Sequence, residues 1–290
     1  STDKPHVVNN LKAGTYKIRE TKAPAGYLVA EEVEFTIDSE GNITGSTIMK
    51  DDYTKVEITK SDITDGQSVI GAKLQVIEKT TGKVVEEWTT TEEAHKIDRL
   101  PTGEYILREI QAPAGYIRAE DVEFRVDETG EIQKVEMKDD YTKVEITKKD
   151  LETKEILEGA KLQLLDSKGK VVAEFTSENK AYEMTKLPVG EYTLHEVKAP
   201  KGYNLAEDVK VVIEETGKVQ EFSIYDVEKT NNVPISKQDI TTGEEIKGAK
   251  LELLNSKGEV IESWTSTDKP HVVNNLKAGT YKIRETKAPA

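Results

Sequence analysis

The sequence predicts an all-β protein made of tandem seven-stranded sandwich domains in an extended string. Three observations carry that reading. Short runs such as Val56-Glu57-Ile58-Thr59 alternate apolar and polar residues, the period of a half-buried strand. No run with helical period and length stands out between them. The pattern recurs at just under 90 residues, a length that suits a seven-stranded sandwich.

Each unit reads in the same order. It opens with a strand ending in a lysine: Val56-Ile58-Lys60, Val144-Ile146-Lys148 and Val233-Ile235-Lys237 at alternate positions. A polar turn follows, Ile63-Thr64-Asp65-Gly66 in one copy and Ile240-Thr241-Thr242-Gly243 in another. Gly-Ala-Lys-Leu then opens a second strand at 71–74, 159–162 and 248–251. A glycine-containing hairpin leads to a strand carrying Trp88, Phe175 or Trp264. After a polar stretch, Leu-x-x-Gly-x-Tyr enters a strand that carries a glutamate. Ala-Pro-x-Gly-Tyr at 23–27, 112–116 and 199–203 is a loop, because Pro presets one turn dihedral and Gly supplies the other. Two more strands close the unit, the last bearing an aspartate.

Side chains on a strand alternate faces. Val56 and Ile58 therefore carry Lys60 inward with them. The same parity turns Glu109 inward after Tyr105 and Leu107, and Asp139 inward after Val135 and Met137. It repeats at Lys148, at Glu196 after Tyr192 and Leu194, and at Asp226 after Phe222 and Ile224. Parity favours Asp139 and Asp51 over the adjoining Asp140 and Asp52. Buried charges are costly unless paired or neutralised, so a repeated inward Lys, Glu and Asp asks for a chemical explanation. A lysine snorkelling from a frayed strand end, or an unreactive ion pair, is the plainer reading of one such set. Matching parity in three strands, repeated, weighs against it.

The spacings define the organisation. Lysines 60, 148 and 237 are 88 and 89 residues apart; glutamates 20, 109, 196 and 285 are 89, 87 and 89 apart; aspartates 51, 139 and 226 are 88 and 87 apart. Two complete units, 54–142 and 143–229, lie between the later part of one unit, 1–53, and the first part of another, 230–290. The 1–53 piece holds Glu20 and Asp51 without the lysine; the 230–290 piece holds Lys237 and Glu285 without the aspartate. Residues 1–25 are identical to residues 266–290, so the chain reads as a window on a longer, nearly perfect array. Only Asp140, Tyr141, Thr142 and Lys143 separate Asp139 from the next strand, a joint too short to act as a flexible linker.

Composition narrows the function. With 36% apolar and 33% charged residues, the chain is polar but too regularly patterned for disorder. A net charge of −14 argues against nucleic-acid and anionic-lipid partners. Cysteine is absent, which fits an exported protein stabilised by something other than disulfides. No 18-residue apolar run marks a membrane span, and no signal peptide is visible. No metal-ligand spacing, phosphate-cradling loop or nucleophile elbow occurs, so no cofactor or metal is expected. The four histidines look scattered, and Trp88, Phe175 and Trp264 read as core. Tyr27, Tyr116 and Tyr203, after the Pro-x-Gly turns, read as packed corners.

The triad permits one reaction. An amine buried in apolar surroundings is pushed toward its neutral, nucleophilic form, and a buried carboxyl toward its protonated form. The amine can then attack the aspartyl carboxyl carbon while the glutamate polarises it and moves protons. The product is a Lys–Asp isopeptide bond, made once and without a separate enzyme because the fold supplies the proximity.

The openings Lys60-Ser61-Asp62, Lys148-Lys149-Asp150 and Lys237-Gln238-Asp239 share this reading. With Gly-Ala-Lys-Leu and Glu-x-x-Ala-Pro-x-Gly-Tyr, they resemble the CnaB-type, or SpaA-type prealbumin-like, domains of Gram-positive adhesins and pilins. The resemblance spans essentially the whole chain. It implies an Ig-like or prealbumin-like sandwich with an intramolecular bond from a first-strand Lys to a last-strand Asn or Asp, assisted by a Glu. By motif position, the crosslinked pairs are Lys60 with Asp139 and Lys148 with Asp226, and the catalytic residues are Glu109 and Glu196. Glu20 and Glu285 are the catalytic counterparts in the partial units, and Lys237 and Asp51 are the crosslinking residues left unpaired in this chain. The chain has Asp in every unit, so water is the leaving group in place of the ammonia released from Asn. The expectation is a non-enzymatic stalk of an extracellular, wall-anchored surface protein whose partners are neighbouring identical repeats. The alternatives are an adhesive module for a host matrix protein and a subunit joined head to tail by intermolecular bonds.

Overall fold

The computed structural model describes residues 4–289; the first three residues of the 1–53 piece and the last of the 230–290 piece lie outside it. Every regular element among the described residues is a β-strand. The chain divides into two compact units: residues 1–142 with 185–188 and 215–218, and residues 143–184, 189–214 and 219–290.

The first unit begins with β1 (Gly14–Ile18), β2 (Val33–Ile37) and β3 (Ile43–Gly45), an antiparallel sheet in that order. Seven strands follow: β4 (Lys55–Asp62), β5 (Lys73–Glu78), β6 (Val84–Thr89), β7 (His95–Asp98), β8 (Gly103–Gln111), β9 (Val122–Val126) and β10 (Ile132–Asp139). They form two sheets, β10-β4-β7 and β6-β5-β8-β9. The expected seven strands are present, and the alternating faces meet in one core. Val56, Ile58 and Met137 from one sheet join Leu74, Val76 and Leu107 from the other.

The second unit repeats the plan with β11 (Lys143–Asp150), β12 (Lys161–Asp166), β13 (Val171–Thr176), β14 (Tyr182–Thr185), β15 (Gly190–Lys198), β16 (Val209–Ile213) and β17 (Val219–Asp226). Its sheets are β14-β11-β17 and β13-β12-β15-β16. Five further strands complete it: β18 (Thr230–Ile235), β19 (Lys250–Leu254), β20 (Val260–Thr265), β21 (His271–Lys277) and β22 (Lys282–Lys287), paired as β18-β21 and β20-β19-β22.

Two features position the site. The first and last strands of each seven-stranded repeat are parallel neighbours, with Lys60 opposite Met137 and Asp62 opposite Asp139. The second repeat places Lys148 opposite Ile224 and Asp150 opposite Asp226. The opening strand therefore does not end at its lysine, as its sequence implied. The parallel ladder keeps it paired for two more residues and buries Asp62 and Asp150 as well. The second feature is a register shift beside each glutamate. Leu74 faces Glu109 but Lys73 faces Gln111, and Leu162 faces Glu196 but Lys161 faces Lys198. The extra residues, Ile110 and Val197, point outward. A bulge at this point re-aims the strand just after the glutamate has entered the core.

Candidate functional site

In the first complete repeat, β4 carries Lys60 into the core, β8 carries Glu109 and β10 carries Asp139. The side chains of Lys60, Glu109 and Asp139 are 1%, 0% and 0% exposed. Lys60 Nζ lies 3.1 Å from Glu109 Oε2 and contacts Asp139 Oδ1. The second repeat reproduces this from β11, β15 and β17. Lys148 Nζ lies 2.9 Å from Glu196 Oε1 and contacts Asp226 Oδ1, with all three side chains fully buried. Sequence parity thus brings together, in both complete repeats, the three residues it selected.

The electrostatics separate the carboxyls. Burial pushes Asp139 up to about 7, against the pull of Lys60 and with a further push from Glu109. Burial likewise pushes Asp226 up to about 6. Asp62, almost as buried on the adjoining strand, goes the other way. Burial would raise it, but Lys186 Nζ at 2.9 Å, the Thr64 amide and the Tyr116 hydroxyl outweigh that and hold it below the usual carboxylate range. Neighbouring carboxyls pushed apart in this way have different roles. Asp62 is an ionised anchor, and Asp139 is the group poised between acid and carboxylate. Asp140, the adjoining residue in the sequence, accepts from the Tyr141 amide at 2.8 Å and belongs to the turn.

Among the described buried atoms, Glu109 Oε1, Asp139 Oδ2 and Asp226 Oδ2 accept no hydrogen bond, while Glu196 Oε1 faces the Lys148 ammonium. Unsatisfied polar atoms at full burial are expensive. Clustered twice at equivalent places, they mark a site built for more than packing.

A profile for the SpaA prealbumin-like fold domain matches residues 2–52, 54–141, 142–228 and 231–290. The chain belongs to this SpaA family. No curated protein matches it. Among solved structures, the Bacillus anthracis TIE protein aligns with a TM-score of 0.55 at 23% identity, over 98% of this chain and 56% of its own. At that identity the likeness speaks for the fold, and the chain spans little more than half of that protein. BcpA, the major pilin subunit of Bacillus cereus, aligns at 18% identity and a TM-score of 0.46, over 81% of this chain and 88% of its own. The shaft pilin SpaA from Lactobacillus rhamnosus GG aligns at 16% identity and a TM-score of 0.32, over 61% of this chain and 98% of its own.

The partial SpaA units hold their residues differently. Glu20 and Asp51 line one open cavity of about 630 Å³, and Asp51 is exposed. Lys237 lies 3.3 Å from Glu285, and their side chains are 31% and 34% exposed. Among the aromatic residues, Trp88 stacks on His95 with centroids 4.1 Å apart, Trp264 on His271 at 4.5 Å, and Phe175 on Tyr182 at 3.9 Å. His95 and His271 are therefore not scattered. Each sits seven residues after its tryptophan, the place Tyr182 takes after Phe175, and that spacing was the available signal. Tyr116 does pack at a corner, edge-on to Tyr141 at 6.4 Å. It also binds Asp62, which parity alone did not single out.

Proposed function

We propose that this chain is a run of structural stalk repeats from a bacterial cell-surface fibre, in which each complete repeat closes itself with one Lys–Asp isopeptide bond. The observation that carries this reading is the buried contact of Lys60 with Asp139 beside Glu109, repeated by Lys148, Asp226 and Glu196. A proton passes from the lysine ammonium to the aspartate, freeing the nitrogen lone pair. Nζ attacks Cγ, the Cγ–O bond breaks, and water leaves. The glutamate polarises the carbonyl and relays protons. Held contact replaces a bimolecular encounter, a gain of roughly 7–11 kcal/mol in favourable cases. The product removes a buried ion pair together with its desolvation cost.

On this reading the bond has a mechanical role. Tension enters at the start of β4 and leaves after Asp139 at the end of β10. With Lys60 joined to Asp139, the load crosses between the two parallel strands and bypasses everything from Ser61 to Lys138. Such a link cannot be reduced, which suits an extracellular stalk, and copies of one module suit spacing better than recognition. The partners on this reading are neighbouring repeats. No helix among the described residues is long and apolar enough to cross a membrane.

Intact mass of the denatured chain tests the proposal. The expected result is a deficit of two waters, reduced to one by Glu109→Ala. A mass equal to that of the sequence would leave only ion pairs and end the covalent reading. Covalent ladders on a denaturing gel would instead favour bonds between chains, through Lys237 and Asp51.

A further inference from the structure

The catalytic glutamates have a partner that no side chain supplies. The backbone amide of Ala119 donates to Glu109 Oε2 at 2.7 Å, and that of Ala206 donates to Glu196 Oε2 at 2.7 Å. The same bond forms in the N-terminal partial unit, from the Ala30 amide to Glu20 Oε2 at 2.8 Å. In all three the alanine follows its glutamate by ten residues. The Glu20 case is informative because its unit contains no first-strand lysine, so the amide holds the glutamate without help from the amine.

The loop bearing this amide is itself fixed at both ends of the reaction. It starts at the Pro-x-Gly-Tyr turn, closed by Tyr116 N–H donating to Pro113 O at 3.0 Å. One residue on, Ile117 N–H donates to Asp140 O at 2.9 Å. Asp140 directly follows the acceptor Asp139. Asn204 N–H makes the matching bond to Val227 O at 3.0 Å, beside Asp226, and Leu28 N–H to Asp52 O at 3.0 Å, beside Asp51. A three-residue stretch, such as Ile117 to Ala119, therefore ties the glutamate carboxyl to the backbone next to the aspartate. With Oε2 held by the amide, the other oxygen, Oε1, stays buried and turned to the reacting groups: in the first complete repeat it accepts no hydrogen bond, while Lys60 Nζ shares Oε2 with the amide, and in the second it lies 2.9 Å from Lys148 Nζ. The Asp139 and Asp226 Oδ2 atoms are buried beside it and accept no hydrogen bond.

We propose that the Ala119 and Ala206 amides are positioning donors for crosslinking: each fixes Oε2 as the acceptor and leaves Oε1 as the oxygen that passes protons to and from the aspartate. This rests on the isopeptide reading above. The balance closes through that oxygen. The ammonium gives up two protons, both leave with one aspartyl oxygen as water, the Nζ–Cγ bond replaces a Cγ–O bond, and the glutamate undergoes no net change.

A pair of substitutions separates the N–H from the methyl group. Ala119→Gly keeps the amide, whereas Ala119→Pro removes it. Intact mass is followed over time on freshly synthesised full chain, with the repeat at 143–229 as internal control. Wild type and Ala119→Gly are expected to lose two waters together. Ala119→Pro is expected to lose one on the same schedule and the second roughly 10²-fold more slowly, the size of a catalytic group misplaced by about 1 Å. Equal rates in Ala119→Pro and wild type, or equal slowing by Gly and Pro, would overturn the inference. A direct readout covers misfolding of the proline variant. In a chain blocked by Asp139→Ala, the Ala119 amide proton should resonate downfield and move upfield on adding Glu109→Ala. An amide at its random-coil position, unmoved by that change, overturns the inference as well. A wild-type chain that loses no water would end the isopeptide reading, while the amide resonance would still report whether the glutamate is held as described.

Discussion

Lys148 and Lys237 stand 89 residues apart at the same position of the same motif, yet they occupy different environments. The Lys148 side chain is fully buried between Glu196 and Asp226. That of Lys237 is 31% exposed and pairs with Glu285. The difference lies in the neighbouring strand. Lys148 sits inside β11, which β17 lines in parallel to its last residue. Among the described residues β18 pairs with β21 in a two-stranded sheet and stops at Ile235, before Lys237 is reached. Pro234 takes the place that Glu145 has in β11, and proline offers no ladder donor. A lysine on the inward parity of a strand becomes a buried group only when the closing strand covers it, and the same strand brings the acceptor.

The largest expected effect comes from removing the proposed crosslinks. The double variant Glu109→Ala, Glu196→Ala should lose both bonds. Each closes a loop such as 60 to 139, worth roughly 4–5 kcal/mol by the chain-entropy argument used for disulfides. Urea unfolding should show this loss, and full wild-type stability in the double variant would refute a stabilising bond. Next in size is a pH effect confined to the uncrosslinked chain. Asp139 and Asp226 are raised from 3.8 to about 7 and about 6, with burial the largest cause, and burial survives the double substitution. A carboxyl raised on folding binds its proton more tightly in the native state, so its contribution is present below about pH 4 and is lost as pH rises through 6 to 7. The melting temperature of the double variant should fall over that window. The crosslinked chain, whose aspartyl carboxyls have become amides, should lack this component; the same slope in both chains would count against the bond. Smallest is Lys237→Ala. A half-exposed pair of this kind contributes about 0–1 kcal/mol, and a loss of several kcal/mol would mean that Lys237 is as enclosed as Lys148.

Much of the site was legible because the signals were local and repeated. Period-two alternation placed Lys60, Glu109 and Asp139 on inward faces, and equivalent residues recurred in the next repeat. The continuation of β4 to Asp62 was not legible, since it depends on a partner strand more than seventy residues away. Nor were the bulges at Ile110 and Val197, which no glycine announces. The alanine amides were hidden for a different reason: every residue but proline carries an N–H, so the sequence does not distinguish the one that is aimed.

By itself the sequence determined the all-β class, the repeat and the three side chains that face inward. Parity and periodicity are properties of neighbouring residues along one chain. Tertiary structure alone decided that the first and last strands are parallel neighbours, and that Asp139 is driven up while Asp62 is held down. Those outcomes depend on what lies across from each residue, because desolvation and pairing are set by distance in space and not by distance along the chain.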